Sequence, residues 1–258
     1  MIIQIKTVKT PETISIASVQ SPLENFRAGQ LLLIDKPLTW TSFQVVNKIR
    51  YIIKHNLGIK KIKVGHAGTL DPLATGLLVL CIGKKTKEIA GFSGQNKTYT
   101  GTFTLGATRP SFDKETEIDQ VFPTDHINEK LIKITAEGFV GKQEQMPPIF
   151  SAKKVDGVRA YKNARAGKEV KLKSNPIEIF RFDITSIRKN EVDFLIESSK
   201  GTYIRTIAND FGKRMKSGAY LSALRRTKSG QFSIEDAFKI EDFEAWITSY
   251  IQNSDQAE

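Results

Sequence analysis

The sequence predicts a mixed α/β fold, and three observations carry that prediction. Residues 29–37 (GQLLLIDKP) and 77–82 (LLVLCI) are short apolar runs of the length of buried strands, the first stopped by a charged turn. Tyr99, Gly101, Phe103 and Leu105 alternate with polar residues, as do 177–184 and 192–196, which is the period of strands with one buried face. Val45, Val46, Ile49, Ile52 and Ile53 fall on one side of a helix, and so do Ile204, Ile207, Ala208, Phe211 and Met215.

The rest of the chain fits between these elements. Thr41 or Ser42 caps the first helix and Gly58 stops it. Residues 131–141 read as a short helix ending at a glycine, and the segment after Phe238 as one acidic helix. Residues 1–28 have mixed character and read as an N-terminal extension.

Composition narrows the function. The chain has 258 residues, 40% of them hydrophobic and 26% charged, enough to bury a large core as one large or two modest domains. No apolar run approaches the roughly 20 residues that span a bilayer. The first twenty residues lack a basic-then-apolar leader, so a cytoplasmic protein is expected. The one cysteine, Cys81, excludes an intramolecular disulfide and a cysteine-based zinc cluster, and its apolar run marks it as a buried, inert thiol. Neither a Walker loop nor a dinucleotide fingerprint is present.

The net charge is +11 and unevenly spread. Residues 234–258 set Lys239 against seven acids, while residues 1–233 carry 38 basic and 21 acidic side chains. A field of that sign favours polyanions, nucleic acid among them, and it also serves solubility.

The most informative stretch is residues 64–83. Gly65, Gly68 and Gly76 surround His66, Asp71 and Pro72. Proline keeps Asp71 out of the helical region, so its carboxylate projects from a loop that a buried strand follows. By themselves these residues also describe an ordinary turn with an Asp bonding its own backbone.

The string GHAGTLDPLATG at 65–76 resembles the catalytic motif of the TruB-type pseudouridine synthases. Further blocks resemble the same family in the same order: GQLLLIDKP at 29–37, Lys97-Thr98-Tyr99, Thr108 and Asp113, QMPPIFSAKKVDGVRAY at 145–161, Gly201-Thr202-Tyr203-Ile204-Arg205, and 218–227. The chain departs from the family at Thr39, where a glycine is usual, and at Tyr220, where a histidine is usual.

The resemblance covers about residues 29–238 and implies the pseudouridine synthase fold, a large, mainly antiparallel sheet flanked by helices. It implies a catalytic domain over 29–238, with a mobile RNA-clamping insertion at about 146–176. Residues 239–258 are then an acidic helix or tail, too short to be the PUA domain of many relatives. The implied activity is isomerisation of uridine 55 in the T loop of tRNA, after the base is flipped from its stack.

The resemblance also assigns residues. Asp71 acts on the nucleoside, as nucleophile or as base. Arg205 pairs with Asp71 and keeps it ionised. Tyr99 stacks on the uracil, Leu224 and Tyr203 close the pocket, and His66 wedges into the vacated stack. Lys63, Lys84, Lys153 and Arg165 are candidate contacts to the RNA backbone. No metal, cofactor or obligatory protein partner is implied; the expected partner is the T stem-loop of tRNA, bound by a monomer. Two other readings stay open: a guide-RNA-dependent relative, and an RNA-binding protein that assists tRNA folding.

Overall fold

The computed structural model describes residues 26–150, 154–155, 158–159 and 172–255. The N-terminal extension before Phe26, and Lys153 and Arg165 of the expected insertion, lie outside the described residues. The main elements in chain order are β1 (Gln30–Lys36), α1 (Ser42–Asn56), β2 (Val64–His66), β3 (Ala74–Ile82), β4 (Lys97–Leu105), α2 (Glu129–Glu137) and β5 (Gly141–Gln145). They continue with β6 (Asn175–Arg188), β7 (Glu191–Ser198), α3 (Ile204–Arg214), β8 (Ala219–Ser229), β9 (Phe232–Ser233) and α4 (Ile240–Asp255). This is the mixed α/β class expected from the sequence, with antiparallel strand ladders and helices.

The chain divides into two compact units, residues 1–95 with 225–258, and residues 96–224. In the first, β3 pairs antiparallel with β1 (Leu32 opposite Leu80) and with β2 (Gly65 opposite Cys81). Leu32, Ile34, Leu78, Leu80 and Ile82 join a core with Val45, Ile49, Ile52 and Ile53 of α1 and Phe243 and Ile247 of α4. Leu31, Leu33, Leu77, Val79 and Cys81 join a second core with Phe232. Both strands are therefore covered on two faces, which is why their sequence is an unbroken apolar run rather than an alternation. Cys81 is fully buried. Burial first, and Glu88 second, push its thiol up to about 11, so it is inert.

Helix α1 starts with a capping box. The Thr41 hydroxyl accepts from the Gln44 N–H, and the Thr41 N–H donates to Gln44 Oε1 at 2.7 Å.

The second unit is built on antiparallel ladders running from β4 through β7 and β6 to β5. Its core is aromatic: the Phe103 and Phe194 rings lie 4.3 Å apart, and Phe139, Phe182 and Phe211 extend the cluster. Helix α2 ends earlier than the sequence suggests. It stops at Glu137 with Gly138 as its cap, and Gly141 opens β5 at φ +112° rather than ending the helix. Segment 218–227 forms most of β8, along which the chain passes from the second unit back into the first.

Candidate active site

Asp71 sits half-buried in the loop between β2 and β3, as its Pro72 neighbour requires. Its carbonyl accepts from the Ala74 N–H at 3.0 Å, which closes a turn leading straight into β3. Ser42, at the start of α1, holds the residue before it: Ser42 Oγ donates to the Leu70 carbonyl at 3.0 Å and lies 2.8 Å from the Leu70 N–H.

Two buried cations hold the same loop. Lys36 has no exposed surface, and its ammonium donates to the carbonyls of Pro37 at 2.8 Å, Trp40 at 2.5 Å and Pro72 at 3.4 Å. Burial holds its pKa down at about 8, against the opposing pull of Asp71, with Arg226 lowering it further. Arg226 is 1% exposed; its Nε donates to the Leu77 carbonyl at 2.7 Å and its Nη2 to the Gly68 carbonyl at 3.0 Å. One guanidinium thus pins the loop on both sides of Asp71. Close packing against Arg226 also explains Gly76, which has φ +101° and where an added Cβ would lie 2.3 Å from the Arg226 carbonyl oxygen.

Pro72 receives a second anchor from Thr39, whose N–H donates to its carbonyl at 2.8 Å. Thr39 has φ +70°, in the left-handed region that glycine adopts without strain. A β-branched side chain is strained there. Beside this turn, Arg225 grips Asp35 through two bonds of 3.0 and 2.7 Å.

His66 ends β2, and its Nδ1 is buried with no hydrogen-bond partner among the described residues. Burial, and then the charge of Arg226, push its pKa below the ordinary 6.5. The imidazole is therefore neutral near pH 7, a flat ring suited to stacking rather than to ion pairing.

In the second unit, Arg205 occupies the first turn of α3 and is 4% exposed. Its Nη1 donates to the Ser111 carbonyl at 3.2 Å and its Nη2 to the Phe150 carbonyl at 2.9 Å, and its Nε lies 3.6 Å from Asp113 Oδ2. Asp113 itself is 5% exposed and caps the turn by accepting from the Glu115 N–H. Tyr203 precedes α3 and is fixed by a reciprocal pair with buried Gln145: the Tyr203 N–H donates to Gln145 Oε1 at 2.8 Å, and Gln145 Nε2 donates to the Tyr203 carbonyl at 3.1 Å. Tyr99 lies on the buried face of β4, 9% exposed and opposite Ile196 of β7. Leu224 is half-buried on β8.

Within one unit, then, His66 and Asp71 share a loop; within the other, Tyr203 and Arg205 share the start of α3. Lys63 and Lys84 are exposed, as contacts to a backbone need to be. Sequence reasoning missed the supporting residues: Lys36 and Arg226 in one unit, Gln145 and the Asp113 partner of Arg205 in the other. The signal was present only as charged residues inside otherwise apolar strands, in the Asp-Lys-Pro and Leu-Arg-Arg strings.

Residues 54–204 match the TruB family pseudouridylate synthase N-terminal domain, and residues 205–258 the tRNA pseudouridylate synthase B C-terminal domain. The tRNA pseudouridine synthase B of Flavobacterium johnsoniae is 57% identical over 222 residues, which cover 86% of this chain and 97% of that protein. The protein of the same name from Chloroherpeton thalassium is 53% identical, over 83% of this chain and 88% of that one. Among solved structures, a chain of a Cbf5-Nop10-Gar1 complex is 26% identical and superposes with a TM-score of 0.68, over 92% of this chain but 60% of that one. A second, from an H/ACA RNP bound to a substrate RNA, shares the fold at 23% identity and a TM-score of 0.64. The fold and these matches define an isomerase, an enzyme that makes pseudouridine. The chain belongs to the TruB family of pseudouridylate synthases.

Proposed function

We propose that this enzyme converts uridine 55 in the T loop of tRNA to pseudouridine, acting on the free tRNA as a monomer in the cytoplasm. The observation that carries this reading is the 57% identity with a tRNA pseudouridine synthase B over 97% of that relative's length. Among the described residues no helix is long and apolar enough to cross a membrane.

The reaction breaks the bond from uracil N1 to the ribose, turns the base and rejoins it through C5. The proton displaced from C5 is balanced by the one N1 gains, so no oxidant, hydride or phosphate is consumed. Asp71 acts on the nucleoside, as nucleophile or as base. The rigid loop supports that role, because reacting groups held in one geometry avoid the entropy cost of finding it. Tyr99 stacks on the uracil, with Leu224, Tyr203 and Arg205 as further substrate-binding residues. The neutral ring of His66 takes the place of the flipped base. Lys63 and Lys84 contact the phosphates, with Lys153 and Arg165 from the insertion. Residues 29–238 make up the catalytic domain in this reading.

The test is to incubate the purified chain with an unmodified tRNA transcript and map pseudouridine by position. Conversion at position 55, without added RNA or protein, is expected. Conversion only after a guide RNA is supplied, or only at another position, would overturn the reading.

A further inference from the structure

Helix α1 buries Val45, Val46, Ile49, Ile52 and Ile53 on one side. Its opposite side is unusual for a solvated helix face. Phe43 is 63% exposed and Tyr51 is 57% exposed. His55 stacks on Tyr51 with ring centroids 5.5 Å apart and planes 24° apart. Arg50 and Lys54 lie on the same side, and the chain continues into exposed Lys60 and Lys61. Between Asp35 and Asp71 the sequence contains no carboxylate at all.

Solvent-facing helices ordinarily mix both charge signs and bury their aromatic rings, since exposed apolar area opposes folding. Here aromatic rings and cations alternate and acids are missing. That is the composition of a stacking platform for unpaired bases with cations for the adjoining phosphates. The acidic helix α4 marks one edge, where Lys48 is held by Glu244 at 2.8 Å.

We infer that the outer face of α1, through Tyr51, His55 and Lys54 with Phe43 nearer the loop, is a second RNA-binding surface that takes unpaired bases of the substrate tRNA outside its T arm. This rests on tRNA being the substrate. The face begins where the catalytic loop is tied down, because Ser42 bonds Leu70, the residue before Asp71. The helix extends about 22 Å from there, at about 1.5 Å per residue. A paired stem keeps its bases stacked inside and offers none to an aromatic ring, so unpaired segments are the fitting occupant.

The test compares a full-length unmodified tRNA transcript with an isolated T-arm hairpin, each titrated against the wild-type chain and the Tyr51→Ser/Lys54→Gln variant. Both substituted side chains are solvent-exposed, and unfolding curves verify that the variant folds. The affinity for full-length tRNA is expected to fall at least about fivefold from the lost stack alone. Its salt dependence should fall by about 0.7 in log–log slope for the lost cation. The hairpin affinity should change by less than about twofold. Unchanged affinity for full-length tRNA, or an equal loss for tRNA and hairpin, would overturn the inference. Pseudouridine mapping with the wild-type chain on the same transcript separates failure of this surface from failure of the proposed substrate.

Discussion

The loop of Asp71 and the surroundings of Arg205 solve opposite problems. In the first, the proposed reactive group is an anion, and cations hold the carbonyls on either side of it: Gly68 and Leu77 by Arg226, Pro72 by Lys36. In the second, the proposed functional group is a cation, and its own atoms are gripped by the Ser111 and Phe150 carbonyls and by Asp113. The difference separates two ways of positioning a side chain. One fixes the backbone that carries the group; the other fixes the group itself. Damage to the first should appear as lost stability of the loop, and damage to the second as lost turnover.

The largest effect is expected from Arg226→Met. Two carbonyls lose their charged donor, at about 1–3 kcal/mol each, so urea unfolding should show a loss of about 2–6 kcal/mol. A loss below about 1 kcal/mol would mean that the loop is held by something else. Asp113→Asn keeps an amide oxygen to accept from the Glu115 N–H while Arg205 loses its carboxylate. A drop of roughly thirtyfold in kcat, equivalent to about 2 kcal/mol, with KM for tRNA almost unchanged, would sharpen the contrast. Equal loss in KM would break it.

Lys36 gives a pH test. Its folded pKa of about 8 lies below the ordinary 10.5, so between these values the unfolded chain binds a proton that the folded chain lacks. Stability therefore rises with pH across that window, and the penalty of burying the charge is complete below it. Lys36→Met should flatten this rise, as measured by urea unfolding at a series of pH values; an unchanged slope would place the ammonium in water. The smallest effect belongs to Thr39→Gly. Relief of the φ +70° conformation should outweigh the added chain entropy and stabilise the protein by up to about 1 kcal/mol. A destabilised variant would show that the Thr39 hydroxyl, which donates to the Leu38 carbonyl, matters more than the strain.

The two-face burial of β1 and β3 was legible because seven- and nine-residue strands in two cores leave an apolar run that little else produces. The start of α1 at Thr41 or Ser42 was legible for a similar reason, a local pattern with a local cause; that Thr41 is the cap and Gln44 completes it came only from the structure. Asp71 on a glycine-shaped loop could be read from Pro72 and the three glycines. The end of α2 was misjudged because two glycines, Gly138 and Gly141, both follow the helical pattern, and only pairing with β6 assigns the second to a strand. Lys36, Arg226 and the Arg205–Asp113 pair were illegible for a deeper reason. Arg226 and Arg205 are buried against carbonyls and a carboxylate distant in sequence, and Lys36 against carbonyls of its own turn and of Pro72, while periodicity reads a charged residue as exposed.

The central claim is that Asp71 performs the chemistry while its loop is held by other residues. The direct measurement is Asp71→Asn assayed on unmodified tRNA, with binding and pseudouridine formation at position 55 followed separately. The account predicts affinity within about threefold of the wild type and no detectable pseudouridine, since the amide lacks the carboxylate's charge while filling the same space. Pseudouridine formed at a rate near that of the wild type would contradict it.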